Sequence, residues 1–360
     1  MGNLELELYL ACSNGKVKEI QQLLQNNRQI NMNSRVRGPT PFYIACQNGH
    51  LEVVRLLLNQ KRVNVNQVTN STKETPFWIA CGCGYVEIVK ELLNDKRVEV
   101  NQANESGKTP FLIACYYGHI ETVKLLINDK RVDINQAGDD FATPFHIACQ
   151  KRQLEIVELL LNDERTDLKK VNDFHQTPFY SACRRGQIGV VKLLLNDKRV
   201  DINETNQDGQ TPFYSVCQNG HIEILKLLLN DERIDINKAD KGGETPLLIA
   251  CYHGRFEVVT YILASGRDVN LKAKSFDGKM VIDIAREEGN ANKRNWESQR
   301  EYQKRKRNYG NVVELLESFE RNPNEMRIKL RMKLGFSCKF FFLFFFFSLL
   351  SVYFIFFFFF

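Results

Sequence analysis

The sequence predicts an all-α solenoid of stacked helix–turn–helix units with β-hairpin-like fingers, followed by a Phe-rich hydrophobic segment. Three observations predict it. Thr-Pro recurs at Thr40, Thr75, Thr109, Thr143, Thr177, Thr211 and Thr245, in steps of 35 and then 34 residues. Cysteine keeps the same beat at Cys12, Cys46, Cys81, Cys115, Cys149, Cys183, Cys217 and Cys251. Between these anchors, apolar residues fall at helical spacing in stretches too short to bury a face alone, so neighbours must stack.

Each element follows from its residues. Thr caps a helix and Pro fills its first position, where a missing N–H costs nothing. Phe111, Ile113 and Ala114, or Phe42, Ile44 and Ala45, then make a short first helix. Gly-His (Gly49-His50, Gly118-His119, Gly220-His221) ends it in the left-handed turn that Gly adopts cheaply. A second amphipathic helix follows, such as 121–127. An Asn/Asp-rich stretch ending in Val-Asp-Ile-Asn and a Gly-bearing turn such as Asp208-Gly209 return the chain to the next Thr-Pro.

Thr-Pro-Phe-x-Ile-Ala-Cys-x-x-Gly-His, then x-Glu-x-Val-x-x-Leu-Leu, resembles the ankyrin repeat, with Cys in place of the second Ala. The resemblance covers roughly residues 4–320 in nine repeats. It divides the chain into a capping repeat (1–35), seven regular repeats (36–276) and a C-terminal ankyrin-like repeat (277–320) with a basic insertion at 290–310. A basic linker (321–339) and the Phe-rich segment (340–360) follow. Repeats two to seven carry one extra residue before the Asn, as in 128–135, whereas repeat eight has the family's shorter form at 266–270. One continuous array is expected rather than two or three domains.

Composition narrows the function. Net charge is +6, yet 286–339 holds 14 Lys/Arg against 8 Asp/Glu, so residues 1–285 balance. A neutral body argues against a nucleic-acid groove. No basic-then-apolar leader precedes the cysteines, which reads as a reducing compartment. Neighbouring cysteines of the column stand about 8–10 Å apart at helix-packing distance, beyond disulfide reach, and read as core. Cys81 and Cys83 form a C-x-C without a second pair at zinc spacing.

The histidines follow the repeat, and no Ser/His/Asp set, paired carboxylate or phosphate loop appears, so neither enzyme activity nor a cofactor is expected. An arginine column runs through Arg28, Arg62, Arg97, Arg131, Arg165, Arg199, Arg233 and Arg267, often with Asp two residues earlier. It reads either as an anion-binding ridge or as cations relieving helix dipoles, with Asp/Arg pairs linking neighbours; the second is the expectation.

The resemblance implies a concave groove lined by the fingers and by the two residues before Gly-His. By position that stripe is Gln47, Asn48, Gly82, Cys83, Tyr116, Tyr117, Gln150, Lys151, Arg184, Arg185, Gln218, Asn219, Tyr252 and His253. Tyr and Arg dominate interface energies, which centres the site on Tyr116, Tyr117, Arg184 and Arg185. Phe141 and Phe174 add apolar residues at the finger tips, either for a partner or to pack between neighbouring fingers. Phe141 and His175 replace the Gly of other fingers (Gly107, Gly209, Gly243), so a different turn is expected there.

Residues 340–360 contain 13 Phe and no charge, behind Arg327, Lys329, Arg331, Lys333 and Lys339. One reading is a tail anchor holding the repeats on the cytoplasmic face of a membrane. The other is an artefact of translated T-rich non-coding DNA. Lys293-Arg294 and Lys304–Arg307 resemble a two-part nuclear import signal, or form a solvated charge run. The expected function is a monomeric scaffold or adaptor that binds a protein partner on the groove, in the cytoplasm. The alternatives are the cytoplasmic part of a membrane signalling protein and a nuclear regulator.

Overall fold

The computed structural model describes residues 3–35, 38–295 and 297–335. They are helical, and the chain divides into two compact units, Met1–Gln207 and Asp208–Phe360, where the sequence reads as one array. A stack of repeats has no global core, because each repeat touches only its neighbours, so any run of consecutive repeats is compact by itself.

The first unit holds α1 (Asn3–Ser13) and α2 (Val17–Asn26), then α3 (Pro41–Gln47) with α4 (Leu51–Leu58) and α5 (Pro76–Cys83) with α6 (Val86–Asn94). It continues with α7 (Pro110–Tyr117), α8 (Ile120–Asn128), α9 (Pro144–Lys151), α10 (Leu154–Leu161), α11 (Pro178–Arg184) and α12 (Ile188–Asn196). The second unit holds α13 (Pro212–Asn219), α14 (Ile222–Leu229), α15 (Pro246–Tyr252), α16 (Phe256–Ala264), α17 (Val281–Asn290), α18 (Gln299–Arg321) and α19 (Pro323–Lys333).

The Thr-Pro logic holds at every repeat that has it. Each Thr hydroxyl accepts from the amide three residues on, at 2.9–3.3 Å. Such a cap contributes about 1 kcal/mol. Odd-numbered helices stack on odd, burying Phe42, Phe77, Phe111, Phe145 and Phe179 in the first unit and Phe213 in the second. The cysteine column lies in this layer as free thiols without accessible surface. Burial pushes Cys12 up to about 12 and raises Cys46, Cys115 and Cys149 as well, so these thiols stay protonated and packed.

Two polar ladders tie neighbouring repeats. The Asn ending the Asn/Asp-rich stretch brackets the next repeat's backbone: Asn101 Nδ2 donates to the Arg131 carbonyl (2.6 Å), and the Asp133 amide donates to Asn101 Oδ1 (2.9 Å). Asn66 and Asn135 repeat this pattern. The arginine column forms the second ladder. Arg131 pairs with Asp129 at 2.6 Å, and its guanidinium also donates to the Leu93 carbonyl (2.6 Å) near the end of α6. Arg97, Arg165 and Arg199 do the same with Leu58, Ile127 and Leu161. The link between repeats is therefore the arginine on a helix C-terminus. The Asp/Arg pair itself, expected to join neighbours, is local: it orients the guanidinium.

The fingers are hairpin-like turns closed by pairs of main-chain bonds: Asn104 N–H to the Lys108 carbonyl (3.0 Å) with Gly107 N–H to the Asn104 carbonyl (3.0 Å), and Asn172 N–H to the Gln176 carbonyl (3.1 Å) with His175 N–H to the Asn172 carbonyl (2.9 Å). Among the described residues no strand forms, only one bridge between Lys274 and Met280. Phe141 and His175 do not adopt another turn. Both take the left-handed conformation of their Gly counterparts, with φ +56° and +57° against +68° at Gly107. The turn survives because Asp140 Oδ1 and Asn172 Oδ1 accept from amides inside it, and because consecutive tips are bonded: Asp173 N–H donates to the Asp140 carbonyl (3.1 Å).

The C-terminal region departs most from expectation. Much of the polar insertion 290–310 forms the first half of the 23-residue α18, opened by a capping box between Ser298 and Glu301. Within the stretch read as a linker, α19 packs on α16 and buries Leu330. No helix among the described residues is long and apolar enough to cross a membrane. The candidate anchor, 340–360, lies outside them.

Candidate protein-interaction surface

In the first unit the groove residues gather around α7, α9 and the two fingers between α8 and α11. Tyr116 is half-buried on Leu112, Ala142 and Ile147, which places it between α7 and the Phe141 finger. Lys151, from α9, donates to the Tyr116 hydroxyl at 3.0 Å and stands 4.2 Å from its ring centre; Lys108 lies 5.7 Å away. The Lys151 hydrogen bond and charge draw the Tyr116 phenol below its ordinary range. Tyr117 meets Tyr116 edge-on at 5.1 Å and is 57% exposed. Phe141 (60% exposed) and Phe174 (51%) project from consecutive fingers.

The other stripe residues are arranged differently. Gln150 is half-buried, and its carbonyl accepts from Gln187 (3.5 Å). Arg184 and Arg185 are exposed at the end of α11. In the second unit, the Gln218 carbonyl accepts from Arg255 (3.0 Å), and Asn219 turns back onto its own helix at the Ser215 carbonyl (2.8 Å). Tyr252 and His253 wall a pocket against α18. Among stripe residues, the structure therefore brings Tyr116, Tyr117 and Lys151 together on one face. Near the N-terminus Asn48 bonds the Ser13 carbonyl (2.8 Å), and Cys83 approaches the Gln47 carbonyl at 4.0 Å.

Two contributors were missed in the sequence. Lys108 has a visible signal: it is the one cation among the residues preceding the Thr-Pro pairs. Arg152 occupies the position of the helix-ending Gly at φ +64°.

The arrangement is suited to contact rather than to reaction. His146 Nε2 and Ser181 Oγ lie 2.7 Å apart, but both side chains are buried and no substrate reaches them. Gly-His histidines bond backbone of the preceding repeat, as His119 Nε2 does with the Gly82 carbonyl (2.8 Å). Among the described residues no group of three or more His, Cys, Asp or Glu is placed to hold a metal ion.

A family profile described as ankyrin repeats (three copies) matches residues 8–104, 61–138, 96–172, 133–206 and 182–273. The chain belongs to the ankyrin-repeat family. Ankyrin repeats generally mediate protein–protein interaction. The matched ankyrin repeats end before α17, so α17 to α19 stand outside them.

Proposed function

We propose that this protein is a non-catalytic scaffold whose first unit holds a partner protein on the face formed by Tyr116, Tyr117, Phe141, Lys151 and Phe174. One observation carries the reading. Phe141 keeps a left-handed backbone, which costs about 1–2 kcal/mol for a non-Gly residue, while most of its ring faces solvent. Asp140 and the bonded neighbouring tip hold this turn whatever residue occupies it, as Lys73 and His175 take the same φ, so the exposed ring is what Phe141 adds at this position. Tyr117 and Phe174 add exposed aromatic area, and Lys151 holds Tyr116 in place; rigid aromatic anchors of this kind lower the ordering cost of association.

Photo-crosslinking tests the assignment. A photoreactive residue at position 117 is expected to trap a discrete partner protein in cells, whereas one at Lys124, exposed on α8, is not. Equal trapping from both positions would contradict it.

A further inference from the structure

The second unit carries a pocket of about 330 Å3. Its walls are Tyr252, His253 and Gly254 at the end of α15, Glu301, Lys304, Arg305, Asn308 and Tyr309 on α18, and Arg294. It forms where the first half of α18, which packs on α17, reaches the end of α15.

That half-helix is firmly fixed. Tyr309 Oη donates to the Tyr252 carbonyl at 2.5 Å. Arg305 pairs with Glu297 at 2.9 Å, with side-chain exposures of 12% and 4%, and donates to the Glu288 carbonyl at 2.8 Å. A cavity held this way is preformed, and binding to it needs little reordering.

Its charge is mainly basic, with Arg294, Lys304 and Arg305 against Glu301. Residues 286–310 carry eight Lys/Arg against four Asp/Glu. All four acids are already engaged: Glu297 by Arg305, Glu288 by Arg294 at 3.1 Å, Glu287 by Lys279 at 2.5 Å, and Glu301 by the Ser298 amide at 2.8 Å. Lys304 lines the pocket and forms no ion pair among the described residues. Asn308 adds a neutral donor, and Tyr252, 47% exposed, offers an aromatic wall with His253 edge-on at 5.3 Å.

We propose that this pocket binds an oxyanion, the carboxylate or phosphate group of a ligand, with Lys304 and Arg294 as its cationic contacts and Asn308 as a donor. The basic run 304–307 is thereby assigned a structural place: Arg305 locks the helix and Lys304 faces the ligand. Two basic side chains and a neutral donor converging on one polar cavity form a charge-assisted site for such a group. The proposal is independent of the partner face in the first unit, and each can fail without the other.

The test uses the intact chain, with inorganic phosphate and an acetylated Glu-Glu dipeptide amide as probes, read by NMR of the His253 and Tyr252 rings. At least one probe is expected to shift both rings saturably. Saturation by phosphate alone identifies a phosphate ligand; saturation by the dipeptide identifies a carboxylate. Lys304→Glu should weaken binding about tenfold, as reversal of one directly contacting charge does. Arg300→Glu, exposed on the same helix but outside the lining, serves as the control. Absence of any ring shift with both probes, or a Lys304→Glu loss no larger than that of Arg300→Glu, overturns the proposal.

Discussion

Phe145→Ala is expected to lower the unfolding free energy of the first unit by about 3–5 kcal/mol, measured by urea denaturation. Phe145 is 1% exposed in the stack of α7, α9 and α11. Deleting its ring removes apolar burial and leaves a cavity that two neighbouring repeats share, so the loss should spread into both. Four residues earlier the sign reverses. Phe141→Gly gives up little packing and relieves a left-handed backbone worth about 1–2 kcal/mol, offset by up to about 1 kcal/mol of glycine entropy. It should fall between neutral and about 1 kcal/mol stabilising. Equal losses from both substitutions would contradict the distinction between core ring and exposed anchor.

Acid should weaken the first unit through His146. Its imidazole is fully buried on α9, with Nε2 on Ser181 and Nδ1 without a partner. Burial pushes it down to about 4 from the usual 6.5, opposed by Asp140 and assisted by Arg185. The unfolded chain takes up this proton as pH falls below 6.5, while the folded chain does not until near 4. Stability is therefore complete above about 6.5 and declines towards 4, by roughly 3 kcal/mol in all. Leu112 and Leu248 fill the equivalent position in other repeats, so His146→Leu is a natural control. The wild-type chain should lose about 3 kcal/mol more than His146→Leu between pH 7 and 4. Parallel pH profiles would contradict this account. The aspartates of the arginine ladder act in a lower window. Hydrogen bonds from Arg97, Arg131, Arg165 and Arg199 hold Asp95, Asp129, Asp163 and Asp197 below the ordinary carboxylate range. Their stabilisation is present above the usual carboxylate value and is lost only as pH falls through these depressed ones.

The repeat was legible because its signals are local and periodic: a Thr cap, Pro after it, Gly at the helix end, and cysteine at a fixed phase. What escaped the sequence is set by contacts between elements. The left-handed turn at Phe141 is imposed by Asp140 and by the bonded neighbouring tip, against the preference of Phe itself. The insertion hid a helix because its residues before Tyr309 are nearly all polar; only Ser298-x-x-Glu301 marked its start. Tyr252 and His253 sit in register with Tyr116 and Tyr117, yet α18 turns their position into a pocket wall, which no spacing within the repeat could announce.

The most direct test of the partner face is comparative capture from cells. The full chain and a Tyr117→Ala, Phe141→Gly, Phe174→Ala variant are used as baits, with circular dichroism confirming equal helicity. Three exposed aromatic anchors each worth about 1–2 kcal/mol or more predict a loss of bound partner of at least about a hundredfold. A partner retained undiminished by the folded triple variant would contradict the placement of the interaction on this face.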